Sequence, residues 1–245
     1  MYSFDSRIRY SEVDQNCKLT LDKLIDYFQD CTNFHSEASG LGVKVTAEMK
    51  RCWMILSWAI EINRFPELTE AVTTVTAPYA FKSCRGGRSF GMKDAAGNWL
   101  AKADSQWVYM DIEKGGFATI EPDMADKYGG VDEKIEVSVD TKRIRMPEGC
   151  QQMDAFCVQK AHLDTNHHVN NGQYVRMAED YLPEGFAVSQ IRVEYKQQAK
   201  LHHMIYPQVA KENEKVTVLL NDQDGNAYAV VEFQAQMPGE RLERE

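Results

Sequence analysis

Long apolar runs are missing from this sequence. No stretch of the 245 residues approaches the roughly 18 apolar residues that a membrane-spanning helix requires. The opening segment, MYSFDSR, also lacks the charged and then apolar layout of a secretory signal peptide. We therefore expect a cytoplasmic protein without membrane insertion.

Paired cysteine motifs and an excess of positive charge are missing as well. None of the six cysteines forms a C-x-x-C pair, which argues against a zinc knuckle or a thioredoxin-type site. Six cysteines in a chain of this length indicate free thiols in a reducing cytosol, not a disulfide framework. With 28 basic and 37 acidic residues, the net charge of −9 argues against general binding to nucleic acid or to anionic membranes.

What the sequence does contain is a short polar motif that occurs twice. In the downstream copy a carboxylate, a carboxamide and an imidazole stand at every second position: Asp164, Asn166 and His168. The upstream copy has the carboxylate and the carboxamide but a lysine in place of the imidazole: Asp14, Asn16 and Lys18. A duplicated motif with an imidazole in only one copy indicates an enzyme built from two related halves.

A second repeated motif supports the duplication of a whole domain. The pattern D-x-x-G-N occurs at 94–98 and again at 222–226, each time before a strand-like run. Gly and Asn accept positive φ and Asp binds its own backbone, so both segments are predicted to be hairpin tips. A chain of 245 residues has room for two domains. We expect the first domain at 1–130, a polar linker at 131–152 and the second domain at 153–245.

Each copy of the first motif is followed by an amphipathic helical pattern and then by β segments. Apolar residues after Thr20 and after Asn171 recur at the spacing of a half-buried helix, and Pro183 ends the second pattern. Strands are expected at 52–64, 70–82, 86–94, 99–112, 187–197, 204–211, 215–221 and 227–237. Each half is therefore predicted to have an α+β fold, with one long helix followed by antiparallel strands.

Simpler interpretations of these residues stay open. A D-x-N motif before a helix is often only turn and capping chemistry, which is our interpretation of Asp14 and Asn16. The histidines near residue 168 could instead indicate a metal site, although no second cluster stands at ligand spacing. The G-x-S-x-G pattern at 87–91 is that of a serine nucleophile elbow, but no helix can follow it, so Ser89 is expected in a strand.

The D-x-N-x-H motif stands among further segments in a characteristic order. They are YSEVD at 10–14, Trp53, EINRFP at 61–66, SQWVYMD at 105–111 and VEYK at 193–196. Together with LDTNHHVNN at 163–171 and with Tyr174, this ordered set resembles the acyl-acyl-carrier-protein (acyl-ACP) thioesterases of plants and bacteria. The resemblance covers nearly the whole chain, and only D-x-N-x-H is specific by itself.

The resemblance implies two tandem hotdog domains, each a long helix wrapped by an antiparallel sheet. It also implies hydrolysis of the thioester between a fatty acyl chain and the phosphopantetheine arm of ACP. Because the sequence has no second cluster of residues at ligand spacing, we expect no metal and no other cofactor. The tandem repeat would supply an internal pseudo-dimer, and whether two chains also form a homodimer is left open. The sequence departs from the family pattern at positions 198 and 199, where relatives often carry an acidic residue and then Cys or a small residue. Here Gln198 cannot act as a base, although its amide could hold a water, and Ala199 cannot be a nucleophile.

The residue types in the motif suit thioester hydrolysis by water. His168 is the expected general base near neutral pH. Asn166 would orient the imidazole or the water, and Asp164 would steady the loop or accept a hydrogen bond from the water. Backbone N–H groups near Asn171 and Gly172 are expected at a helix N-terminus, where an oxyanion is stabilised. This chemistry predicts direct attack by water, without an acyl-enzyme.

Two further groups of residues are candidates for contact with the substrate. Trp53 and Trp107 could line a tunnel for the acyl chain or pack in an ordinary core. The basic candidates for docking an acidic carrier protein are Lys82, Arg85, Arg88, Lys142, Arg143, Arg145, Lys196 and Lys200. Two other functions stay open: an acyl-CoA thioesterase on the same fold, and an inactive hotdog protein that binds acyl groups.

Overall fold

The computed structural model describes residues 1–236 of the chain. The chain forms two compact units, Met1–Ser138 and Val139–Glu245, and the second is described as far as residue 236. The boundary between the two units falls inside the segment 131–152. The last residues of the expected domain 153–245, and the expected strand end at Met237, lie outside the described residues.

The first unit is an antiparallel sheet with one long helix. Its strands are β1 (Tyr2–Arg7), β2 (Arg51–Ile62), β3 (Ala71–Lys82), β4 (Arg85–Asp94), β5 (Trp99–Asp111) and β6 (Gly116–Phe117). Its helices are α1 (Leu21–Ala38), α2 (Val43–Glu48) and α3 (Met124–Lys127). The strand order is β1-β3-β4-β5-β2, and β6 pairs with β5.

Helix α1 packs against β3 and β1 through its apolar stripe. Leu24, Ile25 and Phe28 belong to this stripe and are buried. The ring of Phe28 lies 6.0 Å from that of Trp58 and 5.4 Å from that of Phe90. These contacts bury one face of the helix on the sheet, as the amphipathic pattern predicts.

The second unit repeats this plan with shorter elements. Its strands are β7 (Gln151–Gln152), β8 (Phe156–Cys157), β9 (Val188–Tyr195), β10 (Met204–Glu212), β11 (Lys215–Asn221) and β12 (Ala227–Ala235). The antiparallel order is β9-β12-β11-β10-β7, β8 pairs with β10, and helix α4 (Asn171–Glu179) packs on β11 and β12. The predicted α+β fold of two tandem hotdog domains is confirmed.

The strands predicted from the sequence agree with the observed strands to within two residues at each described end. The elements that were not predicted are short: β1, β6, β7, β8, α2 and α3. Pieces of this length are too short for a hydrophobic period to appear. Strand β1 adds a second reason, because its half-buried face carries Tyr2, Phe4 and the polar Ser6, so the apolar alternation covers only two residues.

Backbone hydrogen bonds confirm the duplication that the repeated motifs predict. At one hairpin tip the N–H of Asp94 donates to the carbonyl of Asn98 at 3.0 Å, and at the other Asp222 donates to Asn226 at 2.8 Å. In both tips the aspartate Oδ1 also accepts the N–H of the asparagine. We call residues that occupy the same place in this repeated pattern counterparts.

The structure shows how the polar segment 131–152 is attached in each unit. In the first unit the N–H of Ser138 donates to Glu61 Oε2 at 2.7 Å. In the second unit the N–H of Ile144 donates to Glu194 Oε1, also at 2.7 Å. Glu61 on β2 and Glu194 on β9 are counterparts. Each sheet therefore binds a part of this segment through a glutamate at the equivalent position.

Strand β4 contains Ser89 and Arg88, two residues to which the sequence patterns give possible functions. Ser89 is a buried strand residue whose Oγ accepts the N–H of Ile135 at 3.1 Å, so the nucleophile elbow is absent. Arg88 is only 6% exposed, and its guanidinium lies 3.1 Å from His35 Nδ1 and 3.3 Å from Thr76 Oγ1. The expectation that Arg88 docks a partner is therefore wrong, since docking needs an exposed side chain.

The described residues also bear on thiol chemistry and membrane crossing. All six cysteines are free thiols. No helix within residues 1–236 combines the length and the apolar character that crossing a bilayer demands.

Candidate functional site

The downstream motif forms a tight loop between the 3-10 turn Lys160–His162 and helix α4. Asp164 Oδ1 accepts the backbone N–H of Asn166 at 2.8 Å and that of His168 at 3.2 Å. The N–H of Asp164 donates in turn to the carbonyl of His168 at 2.8 Å. One carboxylate oxygen therefore closes the loop, which is the turn geometry that Asp favours.

The loop then pairs with the segment that follows β9. His167 has a φ of +61°, in the left-handed region, and this reverses the chain. His168 forms an isolated bridge with Lys200, and the N–H of Val169 donates to the carbonyl of Ala199 at 3.0 Å. The imidazole-bearing residue is therefore held against that segment.

The upstream motif has the same backbone. Asp14 Oδ1 accepts the N–H of Asn16 at 2.8 Å and that of Lys18 at 2.9 Å. The turn residue Cys17 has a φ of +60°. Asp14 therefore performs turn chemistry, and the same atoms of Asp164 perform it in the second unit.

His168 is the group that distinguishes the two loops. Its side chain is half-buried, and burial lowers its pKa. The Asp164 carboxylate raises the pKa of His168 and partly offsets this effect, while Lys200 and His167 lower it further. Within residues 1–236 its ring has no hydrogen-bond partner. A neutral imidazole near pH 7 is in the protonation state that a general base needs.

Asn166 and Gln198 both expose their amides in the neighbourhood of this loop. Asn166 lies in the loop itself, and Gln198 precedes Ala199, whose carbonyl pairs with the loop. Within the described residues neither amide is hydrogen-bonded to the imidazole. The second unit thus brings Asp164, Asn166 and His168 beside the segment that contains the exposed Gln198.

Helix α4 begins directly after the loop. Asn170 is its N-cap, and Asn170 Oδ1 accepts the N–H of Gly172 at 2.8 Å. The carbonyl of Asn171 accepts a hydrogen bond from the Tyr195 hydroxyl at 3.0 Å. Because the Gly172 N–H is engaged by the cap, an oxyanion at this helix end would have to displace Asn170 Oδ1 to reach it.

The two candidate tryptophans lie in the first unit, on β2 and β5. The ring of Trp53 lies 4.8 Å from that of Tyr109 and 6.0 Å from that of Phe81. Trp107 donates from Nε1 to Ser105 Oγ at 2.6 Å. Ordinary packing within the unit accounts for these contacts, and a role in binding the acyl chain stays a prediction.

The surface around His168 differs in charge from the matching surface of the first unit. In the second unit the positions around the loop are occupied by Lys160, His162, His167, Lys200, His202 and His203. Their counterparts in the first unit are Tyr10, Glu12, Cys17, Glu67, Thr69 and Glu70. The exposed Glu67 and the half-buried Glu70 are therefore replaced by Lys200 and His203. Glu12 is buried, and its counterpart His162 accepts the N–H of Gln159 at Nδ1, so this third exchange adds no positive charge to the surface. Within residues 1–236 no group of three or more His, Cys, Asp or Glu side chains is arranged to hold a metal ion.

One residue near the loop has a contact that the sequence pattern did not predict. The helical pattern places Tyr174 only in the apolar stripe of α4, yet its hydroxyl accepts the N–H of Ala199 at 2.9 Å. The sequence of the first unit contains a signal for this contact. There the counterpart of Ala199 is Pro66, which has no N–H and therefore needs no acceptor.

Family models match most of the chain. The model described as acyl-ACP thioesterase N-terminal domain matches residues 1–128, and the one described as acyl-ACP thioesterase C-terminal domain matches residues 147–236. A chloroplastic oleoyl-acyl carrier protein thioesterase from Coriandrum sativum is 24% identical over 193 residues, which is 72% of this chain and 52% of the relative. The chain thus spans about half the length of the curated relatives it matches.

Solved structures share the fold over almost the full chain. An acyl-ACP thioesterase from Bacteroides thetaiotaomicron has a TM-score of 0.87 at 18% identity, with 96% of this chain and 97% of that chain covered. A 12:0-ACP thioesterase from Umbellularia californica has a TM-score of 0.84 at 17% identity, with 96% of each chain covered. At these identities the likeness establishes the fold.

Proposed function

Because the chain belongs to the acyl-ACP thioesterase family, we propose that it hydrolyses fatty acyl-ACP to a free fatty acid and holo-ACP. The observation that carries this proposal is one exchange between two otherwise matching loops. The second unit has His168 where the first has Lys18. An imidazole whose pKa is lowered by burial can accept a proton at neutral pH, whereas an ammonium group has no lone pair to accept one.

In the proposed reaction His168 is the general base. It takes a proton from a water as the water oxygen attacks the carbonyl carbon of the thioester, which forms a tetrahedral oxyanion. The imidazolium then returns the proton to sulfur as the C–S bond breaks. The products are the fatty acid and the thiol of the phosphopantetheine arm.

The other motif residues support this base. Asp164 holds the loop through two backbone N–H groups, and its negative charge stabilises the imidazolium that forms during the reaction. Asn166 and Gln198 would hold the attacking water through their exposed amides. Trp53 and Trp107 would contact the acyl chain. The helix start at Asn171 and Gly172 would stabilise the oxyanion once the oxyanion displaces Asn170 Oδ1 from the Gly172 N–H.

Direct attack by water predicts that no acyl group becomes attached to the protein. Residue 199 is an alanine, so a cysteine nucleophile at this position is ruled out. Mass spectrometry of the enzyme, quenched during turnover, measures any covalent adduct. A mass increase equal to the acyl chain would contradict this mechanism and support a covalent one.

The charge of the surface around His168 favours a carrier protein as the partner. Lysines and histidines surround the loop of the second unit, whereas their counterparts include Glu67 and Glu70 at the surface. The chain as a whole carries a net charge of −9. Charge complementarity of this kind steers an acidic partner to the site and falls with ionic strength. We therefore propose ACP as the partner and phosphopantetheine-linked acyl chains as the substrate.

A panel of acyl-ACP and acyl-CoA substrates, matched in chain length, tests the function. We expect turnover of acyl-ACP by the wild type and its loss in His168→Ala. Turnover of acyl-CoA far above that of acyl-ACP would favour an acyl-CoA thioesterase. Tight binding of acyl-ACP without any turnover would favour a binding protein, for which Gln198 in place of an acid is the motivating observation.

A pair of charge exchanges tests the partner. Lys200→Glu introduces the residue of its counterpart, and we expect the KM for acyl-ACP to rise about three- to tenfold at low salt, as for an exposed interface charge. The matched change Glu67→Lys in the first unit should leave the KM unchanged. Equal effects of Lys200→Glu on acyl-ACP and on a short acyl thioester without carrier protein would argue against a docking role.

A further inference from the structure

The counterparts of Tyr174 and Ala199 differ from them as a pair. In the second unit the buried N–H of Ala199 donates to the Tyr174 hydroxyl at 2.9 Å. Tyr174 is 2% exposed and Ala199 is fully buried. In the first unit the counterparts are Leu24, also buried, and Pro66.

The two pairs differ in whether the residue after the strand has a buried N–H that needs a hydrogen-bond acceptor. A buried N–H without an acceptor is costly, so the segment after β9 needs a partner for Ala199. Proline carries no N–H, so the first unit needs no acceptor and an apolar leucine suffices at the helix. The Tyr174 hydroxyl therefore accepts a hydrogen bond in the second unit that has no equivalent in the first.

The bonded segment is the one that holds His168. The carbonyl of Ala199 accepts the N–H of Val169 at 3.0 Å, and the next residue, Lys200, forms the bridge with His168. The Tyr174 side chain on α4 is thus linked through Ala199 to the backbone of Val169, the residue next to His168. The ring of Tyr174 also lies 6.0 Å from that of Tyr195, whose hydroxyl binds the carbonyl of Asn171 at the start of α4.

We propose that Tyr174 is a positioning residue of the hydrolytic site, which fixes the 198–200 segment and through it His168 by accepting the N–H of Ala199. This proposal rests on the function proposed above for His168. In this role the Tyr174 hydroxyl orients the backbone of the loop and of Gln198, and it takes no part in the reaction itself. The prediction is that the site depends on the pairing of residues 174 and 199, not on a tyrosine as such.

Two variants separate positioning from direct participation. Tyr174→Phe removes the acceptor and leaves the Ala199 N–H buried without a partner. We expect kcat to fall about tenfold with little change in KM, because small displacements of a catalytic group cost rate more than binding. The double variant Tyr174→Phe with Ala199→Pro removes both donor and acceptor, as in the first unit, and we expect it to recover most of the lost kcat.

A matched control comes from the first unit. Tyr27 is a buried tyrosine on α1, and its hydroxyl donates to Glu12 Oε2 at 2.9 Å. Tyr27→Phe also deletes a buried hydroxyl, and we expect kcat to stay within about twofold of the wild type, since this hydroxyl is far along the chain from His168 and in the other unit. Thermal unfolding of all variants shows how much folded protein each assay contains.

Amide hydrogen exchange supplies a readout that does not need turnover. The N–H of Val169, which donates to the Ala199 carbonyl, is the reporter. We expect its exchange to be about tenfold faster in Tyr174→Phe and to return toward the wild-type rate in the double variant. If the wild type hydrolyses no acyl thioester, the function proposed above fails, and this exchange measurement still decides whether Tyr174 orders the loop.

Two results would overturn the proposal. The first is an unchanged kcat and an unchanged exchange rate for Val169 in Tyr174→Phe. The second is a double variant that folds and protects Val169 but stays as slow as Tyr174→Phe, because the hydroxyl would then be required for itself, as a group that touches the substrate.

Discussion

The loop at Asp14 in the first unit and the loop at Asp164 in the second have the same backbone and different side chains. In each, one aspartate oxygen accepts two N–H groups, and the residue before the lysine or histidine has a φ near +60°. The difference is that Lys18 stands where the second unit has His168. A motif residue shared by both loops is therefore explained by the fold, and a residue found in only one loop is a candidate for chemistry.

The motif residues differ in whether the first unit has an equivalent of each. Asp164 closes its loop as Asp14 does, so its presence alone says little about catalysis. His168 and Tyr174 have no chemical equivalent in the first unit, where Lys18 and Leu24 occupy their places. These two exchanges, more than the shared motif, are the reason why we propose a catalytic site in the second unit.

The largest expected effect is the loss of the imidazole. His168→Ala should lower kcat by about 10²- to 10⁴-fold, the range for removal of a general base, and His168→Lys, which introduces the counterpart residue, should do the same. Steady-state turnover of acyl-ACP measures both. Lys18→Ala is the matched control and should leave kcat unchanged. Comparable losses at positions 18 and 168 would break the distinction between the two loops.

The buried histidine of the first unit should affect stability and not turnover. Burial beside Arg88 lowers the pKa of His35 from 6.5 to about 4. Between these values the unfolded chain binds a proton that the folded chain does not, so stability falls as the pH drops from 6.5 to 4, by about 3 kcal/mol. Urea unfolding of the wild type and of His35→Gln, compared at pH 7 and pH 4.5, measures this. An equally steep loss in His35→Gln would assign it to other groups.

The two aspartates should contribute alike to folding and unlike to turnover. Asp14→Ala and Asp164→Ala each remove an acceptor of two backbone N–H groups and should each lower the free energy of unfolding by about 1–2 kcal/mol. Only Asp164→Ala should lower kcat as well. Asp164→Asn keeps an oxygen at the same place, so we expect it to retain most of the stability and part of the turnover. If Asp164→Asn is as inactive as His168→Ala, the charge of Asp164 is as necessary for turnover as the imidazole, and the expectation of partial turnover is wrong.

The smallest expected effect is a shift of the pH profile. A base acts in its neutral form, so kcat/KM should rise with pH through the pKa of His168, which burial holds below 6.5. Asp164→Asn removes the charge that raises this pKa and should move the midpoint lower, while Lys200→Gln should move it higher. Profiles of kcat/KM against pH for the three proteins test these signs. A midpoint above 6.5 in the wild type would contradict the burial of the imidazole.

Much of the fold could be predicted from the sequence because its signals are local. The glycine and asparagine of the hairpin tips, the apolar stripe after Thr20 and the alternation in the long strands each act within a few residues. The loop at Asp164 is also local, since an aspartate can bind N–H groups two and four residues later without any help from the rest of the chain. These features explain why the strand bounds and the duplication were predicted.

The contacts that could not be predicted join residues far apart in the sequence. The positive charge of Arg88 suggests an exposed side chain, but in the fold its guanidinium contacts His35 and Thr76 inside the first unit. Tyr174 and Ala199 are 25 residues apart, and only the packing of α4 near the end of β9 creates their hydrogen bond. Periodicity reports which face of an element is apolar, and it does not report which distant polar group that face meets.

The sequence by itself determined the α+β class, the repeat and the candidate imidazole, because turn chemistry and hydrophobic period are properties of short segments. The tertiary structure alone decided that Asp164 is engaged in closing its loop, that the Gly172 N–H is occupied by the helix cap and that Tyr174 holds the segment beside His168. The physical reason is that a hydrogen-bonding group is defined by its partner, and most of the partners that distinguish this site are brought to it by folding.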